Sequence, residues 1–103
     1  MTTPNWKTEF PDFPEADMPA LPEGWEDISW RNDACPNFVN YKLGVALFVD
    51  FAEPEKREIP EYPRFLAYPV YEDGTPASDQ PAIAESEDFD TVMKIISKYG
   101  EKK

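Results

Sequence analysis

The feature that most constrains the fold is a run of alternating apolar residues at the centre of the chain. From Leu43 to Phe51 every second residue is large and apolar, through Val45, Leu47 and Val49. A period of two is typical of a β-strand, because successive side chains point to opposite faces of a sheet. The intervening positions are small or partly apolar. We therefore predict a central strand over 43–51 with part of its second face covered.

A second clear pattern lies near the C-terminus. Apolar residues recur there at helical spacing and form one stripe: Phe89, Val92, Met93, Ile96 and Tyr99. A stripe of this kind is typical of an amphipathic helix that packs on a core. We expect Ser86 or Asp88 to cap the first turn, and Gly100 to end the helix in the left-handed conformation.

The remaining apolar runs are shorter and predict further strands over 27–32, 64–71 and 82–85. Pro69 cannot donate a hydrogen bond to a neighbouring strand, so the strand over 64–71 is expected to be an edge strand or to end near Pro69. Asp73-Gly74 predicts the turn of a hairpin. Residues 32–37 have the composition of a turn. Strands followed by one helix predict an α+β fold: a small antiparallel sheet of three to four strands, with one C-terminal helix packed on a face and a proline-rich arm before it.

The arm comprises residues 1–24, ahead of a domain over 25–100 and a charged tail over 101–103. Five prolines fall within the arm and predict that no helix or central strand persists there. Its aromatic residues Trp6, Phe10 and Phe13 favour either a strap that lies across the domain or a tail that docks on a partner. With no regular structure to lose, the arm is expected to be dispensable for folding.

The distribution of charge along the chain limits the kinds of partner that it can bind. Seven acidic and no basic residues lie between Lys7 and Arg31, and another seven lie between Arg64 and Lys94, in a chain of net charge −11. A concentrated negative field attracts basic surfaces and repels nucleic acid and anionic membranes. We expect a basic protein as partner, such as one that normally holds nucleic acid, and expect neither direct nucleic-acid binding nor membrane binding.

The residue types give little support to catalysis. Histidine is absent, and Cys35 is the single cysteine. A nucleophilic cysteine needs a nearby base or an electropositive setting, so a small buried hydrophobe is the favoured interpretation of Cys35. Pairs of carboxylates are expected from composition alone, and no glycine-rich phosphate loop is present. We expect no enzyme, no cofactor and no resident metal. Without a signal-peptide pattern, the expected location is the cytoplasm.

The most distinctive passage is Trp25–Pro36, with the sequence WEDISWRNDACP. Its tryptophans are large anchors and its Asn-Asp pair favours a turn, so a structural role is favoured over a contact surface. The passage resembles short stretches of small acidic proteins of unknown function from phages and other mobile elements. That resemblance implies a role in host interaction and assigns no functional residue.

Two sets of residues are candidates for partner binding. The first set contains the acids near the predicted hairpin turn and helix start: Glu72, Asp73, Asp79, Glu85, Glu87, Asp88 and Asp90. The alternative set contains aromatic residues of the arm and the passage after it: Trp6, Phe10, Phe13, Trp25 and Trp30. The first set predicts an inhibitor that mimics the charge of nucleic acid, for example an antagonist of host defence. The second predicts an accessory module that docks or oligomerises through apolar contacts.

Overall fold

Five antiparallel strands pair in sequence order to form the sheet of this protein. The computed structural model describes residues 5–30 and 35–101. The strands are β1 (Glu26–Asp27), β2 (Asn37–Asn40), β3 (Val45–Val49), β4 (Phe65–Pro69) and β5 (Ala84–Ser86). The helices are α1 (Asn5–Glu9) and α2 (Phe89–Glu101), with short 3-10 turns at Glu15–Asp17 and Pro54–Lys56. The predicted α+β class, with an antiparallel sheet and a C-terminal helix, is confirmed.

The register divides the sheet into two faces. Leu47 of β3 lies opposite Phe38 of β2 and Ala67 of β4. These residues share the helix face with Val45, Val49, Phe65 and Ala84. The residues between them along each strand form the opposite face, which we call the cavity face. These residues are Val39, Ala46, Phe48, Leu66, Tyr68 and Glu85. The prediction that Val45, Leu47 and Val49 are buried on one face of a central strand is confirmed.

Helix α2 covers the helix face as its apolar stripe predicts. Val92 and Ile96 are buried in the core, and the rings of Phe89 and Phe65 lie 5.4 Å apart. Burial of this stripe removes apolar area from water, which is the main stabilising contribution of such a helix.

The predicted end of α2 is wrong. The helix continues through Gly100 to Glu101, and Gly100 does not have a positive φ. A Cβ on Gly100 would lie 2.6 Å from Cδ2 of Leu43, so a larger residue here would have to displace the Leu43 side chain, because the helix approaches the β2–β3 turn closely.

The N-terminal segment is more structured than its prolines predict. It contains α1 and a 3-10 turn, and Trp6 and Phe13 are buried in the core. The backbone N–H of Trp6 donates to Oδ2 of Asp27 at 3.0 Å, and the ring centroids of Phe13 and Phe51 lie 4.9 Å apart. The absence of helix predicted for this segment is wrong, because the prolines at 4 and 11 flank α1 and leave 5–9 uninterrupted. The burial supports the strap and argues against an arm that is dispensable for folding.

The sheet has one more strand than predicted. The first strand was expected over 27–32 but comprises Glu26–Asp27, and residues 31 and 32 lie outside the described part of the chain. Strand β2 was missed because its first residue, Asn37, was assigned to the predicted turn over 32–37 and no element was predicted over 38–42. Asn37 is satisfied in the sheet: its N–H donates to Oγ of Ser29 at 3.1 Å, and its side-chain amide donates to the Cys35 carbonyl at 3.2 Å.

The second half of the sheet follows the predictions closely. Pro69 is the last residue of β4, so the strand end is the correct alternative and β4 itself is internal. The turn after it closes with a hydrogen bond of 2.9 Å from the Gly74 N–H to the Tyr71 carbonyl, and Gly74 has a φ of +87°. The return strand β5 overlaps the predicted range of 82–85.

Candidate functional site

Asp88 acts as the cap of α2. Its Oδ2 accepts hydrogen bonds from the Thr91 N–H at 3.0 Å and from the Thr91 hydroxyl at 2.7 Å. These hydrogen bonds favour the ionised carboxyl, so they hold the pKa of Asp88 below its ordinary value. Of the two predicted caps, Asp88 therefore serves the helix, while the Ser86 hydroxyl accepts from the Asp88 N–H at 3.0 Å.

Arg57 is a buried cation at the end of the sheet, with a side chain that is 2% exposed. Its guanidinium donates to the backbone carbonyls of Phe51 at 2.7 Å, Tyr62 at 2.8 Å and Ala52 at 3.2 Å. It thereby ties both ends of the 50–63 loop together. A charge buried so deeply also needs a counter-ion.

Glu87 is that counter-ion. Its two oxygens accept from the Arg57 guanidinium at 2.9 and 3.0 Å, and Oε2 also accepts from the Arg64 N–H at 2.8 Å. The hydrogen bonds from Arg57 are the main reason that the pKa of Glu87 is lowered. Glu87 thus joins the start of α2 to the 50–63 loop, and its charge is largely compensated within the chain.

Two acids of the 70–80 region also have structural roles. Oδ1 of Asp73 accepts from the Thr75 N–H at 3.0 Å and from the Thr75 hydroxyl at 2.7 Å, which fixes the turn and lowers the pKa of Asp73. The Tyr71 hydroxyl donates to Oδ1 of Asp79, and this bond raises the pKa of Tyr71. Both acids are exposed.

Three acids of the first candidate set have no such role. Glu72, Glu85 and Asp90 are exposed and make no hydrogen bond or ion pair with any other residue that the structure describes. Glu85 lies on β5 opposite Leu66, so it belongs to the cavity face, and its charge is close enough to Tyr68 to help raise the pKa of that phenol.

The alternative, aromatic set is divided between core and surface. Trp6 and Phe13 are buried, and Phe10 and Trp25 are partly buried against the same core. Trp30 is 55% exposed. Four of these five rings are therefore engaged by the fold itself.

A cavity that the sequence did not predict opens on the cavity face. It has a volume of about 430 Å³, and its lining includes Phe48, Leu66 and Tyr68 from the sheet, Asp50 just after β3, and Tyr62 and Arg64 before β4. Period two across 43–51 places Phe48 and Asp50 on one face, and this signal was present in the sequence. The contribution of Tyr62 depends on the course of the long loop, which no short-range pattern gives.

Asp50 is the most unusual group of this cavity. It is 7% exposed, and its Oδ1 accepts from the Phe51 N–H at 2.8 Å. Within 5–30 and 35–101 the Asp50 carboxyl has no other hydrogen bond and no lysine or arginine at ion-pair distance. Burial disfavours the ionised form and raises the pKa of Asp50, against the weaker opposing effects of the Phe51 hydrogen bond and the positive charge of Arg57.

The described residues contain no group of three or more acidic or cysteine side chains arranged to hold a metal ion. In the same part of the chain, no helix is both long and apolar enough to cross a bilayer. Cys35 is buried, as its interpretation as a small hydrophobe predicts.

The chain was compared with protein-family models, with curated proteins and with solved structures. No family model matches it, and neither a curated protein nor a solved structure is significantly similar to it.

Proposed function

We propose that this chain is a non-enzymatic binding protein whose acidic surface engages a basic protein. The observation that carries this proposal is the group of exposed acids Glu72, Glu85 and Asp90, which have no partner among the described residues. Carboxylates that are not compensated within a chain project their field into solvent, attract basic surfaces and speed their encounter.

A basic surface that normally holds nucleic acid fits this chemistry best. Carboxylates spaced over a small folded domain resemble a row of phosphates, and the net charge of −11 opposes contact with nucleic acid itself. The proposed role is an inhibitor that occupies such a surface, for example against host defence. The resemblance of Trp25–Pro36 to proteins of mobile elements is in keeping with that role.

Docking through the aromatic arm receives less support. Trp6 and Phe13 are buried, so they would have to leave the core before they could contact a partner. Trp30 is the large exposed ring of this set and the natural centre for such a contact. The two functions differ in their response to salt, since charge-led binding weakens at high ionic strength and apolar docking does not.

The test uses a triple variant in which acids without structural roles become amides, Glu72→Gln, Glu85→Gln and Asp90→Asn. Its control is Asp12→Asn, Glu23→Gln and Glu101→Gln, which removes the same charge from other exposed positions. Each protein is immobilised and exposed to lysate of the source cell at low and high salt. Captured proteins are then purified and tested for competition with duplex DNA.

We expect the wild type and the control to capture a basic protein at low salt, release it at high salt and displace DNA from it. The triple variant should bind that protein at least tenfold more weakly, about 1.4 kcal/mol. Equal loss in both variants would mean that only net charge matters. Capture that ignores salt and disappears in Trp30→Ala would instead identify the aromatic docking function.

A further inference from the structure

We propose that the cavity on the cavity face binds the primary ammonium group of a lysine side chain. This inference rests on the proposed function, because the lysine is carried by the basic partner, and it adds a specific receptor to a surface otherwise defined by charge alone. Three properties of the cavity support this inference: its aromatic lining, its buried carboxylate, and the binding of the nearby cations to other groups.

Aromatic rings form part of the cavity wall. The rings of Phe48 and Tyr68 are 6.2 Å apart and nearly perpendicular, at 86°. Half-exposed Tyr62 contributes a third aromatic ring to the lining, toward solvent. An ammonium group is attracted to the negative face of such rings, and the attraction grows when the group is removed from water.

Asp50 supplies the opposite charge. An ionised carboxyl that is 7% exposed carries a large desolvation penalty unless it is paired, and no described residue pairs with it. Oδ1 accepts the Phe51 N–H, and Oδ2 accepts no hydrogen bond from any described residue, so Oδ2 is the more available oxygen for a ligand. A cation in the cavity would compensate this charge.

The same oxygen favours a primary ammonium over the other common cations. A quaternary ammonium has no N–H to donate, so it would leave Oδ2 without a hydrogen bond. A guanidinium is best held by two carboxylate oxygens together, and here the Phe51 N–H takes one of the acceptor sites of Oδ1. An alkylammonium needs a single acceptor, and its apolar stem can lie along Leu66.

The neighbouring cations do not occupy the site. Arg57 is held by Glu87 and by backbone carbonyls. Arg64 lines the cavity, but its guanidinium donates to the Asp17 carbonyl and lies 4.8 Å from the ring of Phe65, which belongs to the helix face. The positive charge of Arg57 acts on Asp50, and the acids Glu58 and Glu85 act on Asp50 and Tyr68 respectively, so negative charge offsets the positive charge near the cavity.

The size of the cavity also fits. About 430 Å³ lies within the range of roughly 300–1,000 Å³ that is usual for small-molecule sites. The volume is ample for a butylammonium group, which has the length and charge of a lysine side chain.

The test is an NMR titration of the ¹⁵N-labelled full chain with n-butylammonium, with tetramethylammonium as the comparison cation. We expect butylammonium to shift the amide signals of Phe48, Asp50 and Tyr68, and tetramethylammonium to bind more weakly. Asp50→Asn should raise the Kd for butylammonium at least tenfold. Asp12→Asn makes the same chemical change at an exposed position outside the cavity and should leave the Kd unchanged.

A second pair of variants tests the aromatic wall. Tyr68→Phe keeps the ring and should retain binding, whereas Tyr68→Leu removes it and should weaken binding several-fold; the spectra themselves report whether each variant is folded. Equal effects of Asp50→Asn and Asp12→Asn, or shifts scattered over exposed acids, would overturn the inference.

These outcomes separate the cavity from the proposed function. Butylammonium binding without capture of any basic protein would retain the site and remove the proposed function. If a basic protein is captured equally well by the Asp50→Asn variant, and the wild type does not bind butylammonium, the proposed function would be retained and the ammonium site in the cavity would be removed.

Discussion

The two faces of the sheet are formed by the same strands but differ in how completely their side chains are buried. On the helix face, Val45, Leu47 and Val49 are completely buried under α2 and the N-terminal segment. On the cavity face, Phe48, Leu66 and Tyr68 remain partly exposed and line an open volume. Because alternation in a strand separates the faces, one can be optimised for packing while the other stays available for a ligand.

The buried charges show the same contrast. Arg57 makes five hydrogen bonds, two of them to a carboxylate. The Asp50 carboxyl accepts one from the backbone and has no cation at ion-pair distance among the described residues. Natural proteins commonly give up stability at sites that bind, so an uncompensated buried group is more informative about function than a satisfied one.

The largest expected effect comes from matched truncations on the two faces. Ile96→Ala removes a buried side chain from the helix face and should lower the free energy of unfolding by about 2–5 kcal/mol. Leu66→Ala, on the cavity face, should lower it by about 1 kcal/mol, since less of its apolar area is buried. Urea denaturation measures both. Equal losses would show that the two faces are packed alike.

A smaller effect is expected when the Arg57 pair is broken. Glu87→Gln leaves the guanidinium without a counter-ion and should reduce stability by about 1–2 kcal/mol, less than for a fully buried pair because the Glu87 side chain is 62% exposed. Glu85→Gln, the same change on the preceding strand, should alter stability by less than about 0.5 kcal/mol. Thermal unfolding at neutral pH would detect the difference, and indistinguishable variants would mean that Arg57 is satisfied by carbonyls alone.

The smallest effect has the opposite sign. Asp50→Asn removes an uncompensated charge, keeps an acceptor for the Phe51 N–H and should raise stability by about 0.5–1 kcal/mol at neutral pH. The folded-state pKa of Asp50 is raised above its ordinary 3.8, so its penalty is full above the folded pKa and disappears as pH falls toward 3.8. The advantage of the variant should therefore shrink in that window. An advantage independent of pH would show that charge is not its cause.

Elements of the fold that are specified by local sequence patterns could be predicted, and features that depend on contacts between distant residues could not. The β3 alternation and the α2 stripe are local patterns repeated over several residues, and both predicted their elements correctly. Strand β2 was missed because asparagine favours turns, whereas here Asn37 is buried and bonded to Ser29, eight residues earlier in the chain, and the Asn40 side chain accepts from the Leu43 N–H in the turn that follows the strand. The burial of Trp6 in the core depends on contacts more than 20 residues away, such as its bond to Asp27.

The candidate site was less predictable than the fold. Sequence alone identified the acids but could not separate Glu87 and Asp88, which hold the structure together, from Glu85 and Asp90, which do not. The pairing of Glu87 with Arg57 spans 30 residues and has no local signature. The cavity joins side chains from both sides of the 50–63 loop, and their proximity is set by the course of that loop.

The order of the strands has a consequence for how quickly the chain acquires its structure. Each strand pairs with its neighbours in sequence, and the β2–β3 turn is closed by a hydrogen bond of 2.8 Å from the Gly44 N–H to the Asn40 carbonyl. Contacts between close neighbours require little loop entropy before they form, so a meander folds faster than a sheet assembled from distant segments. We expect the β2–β3 hairpin to form early, and α2, which contacts both β4 and β5, to dock after those strands have joined the sheet.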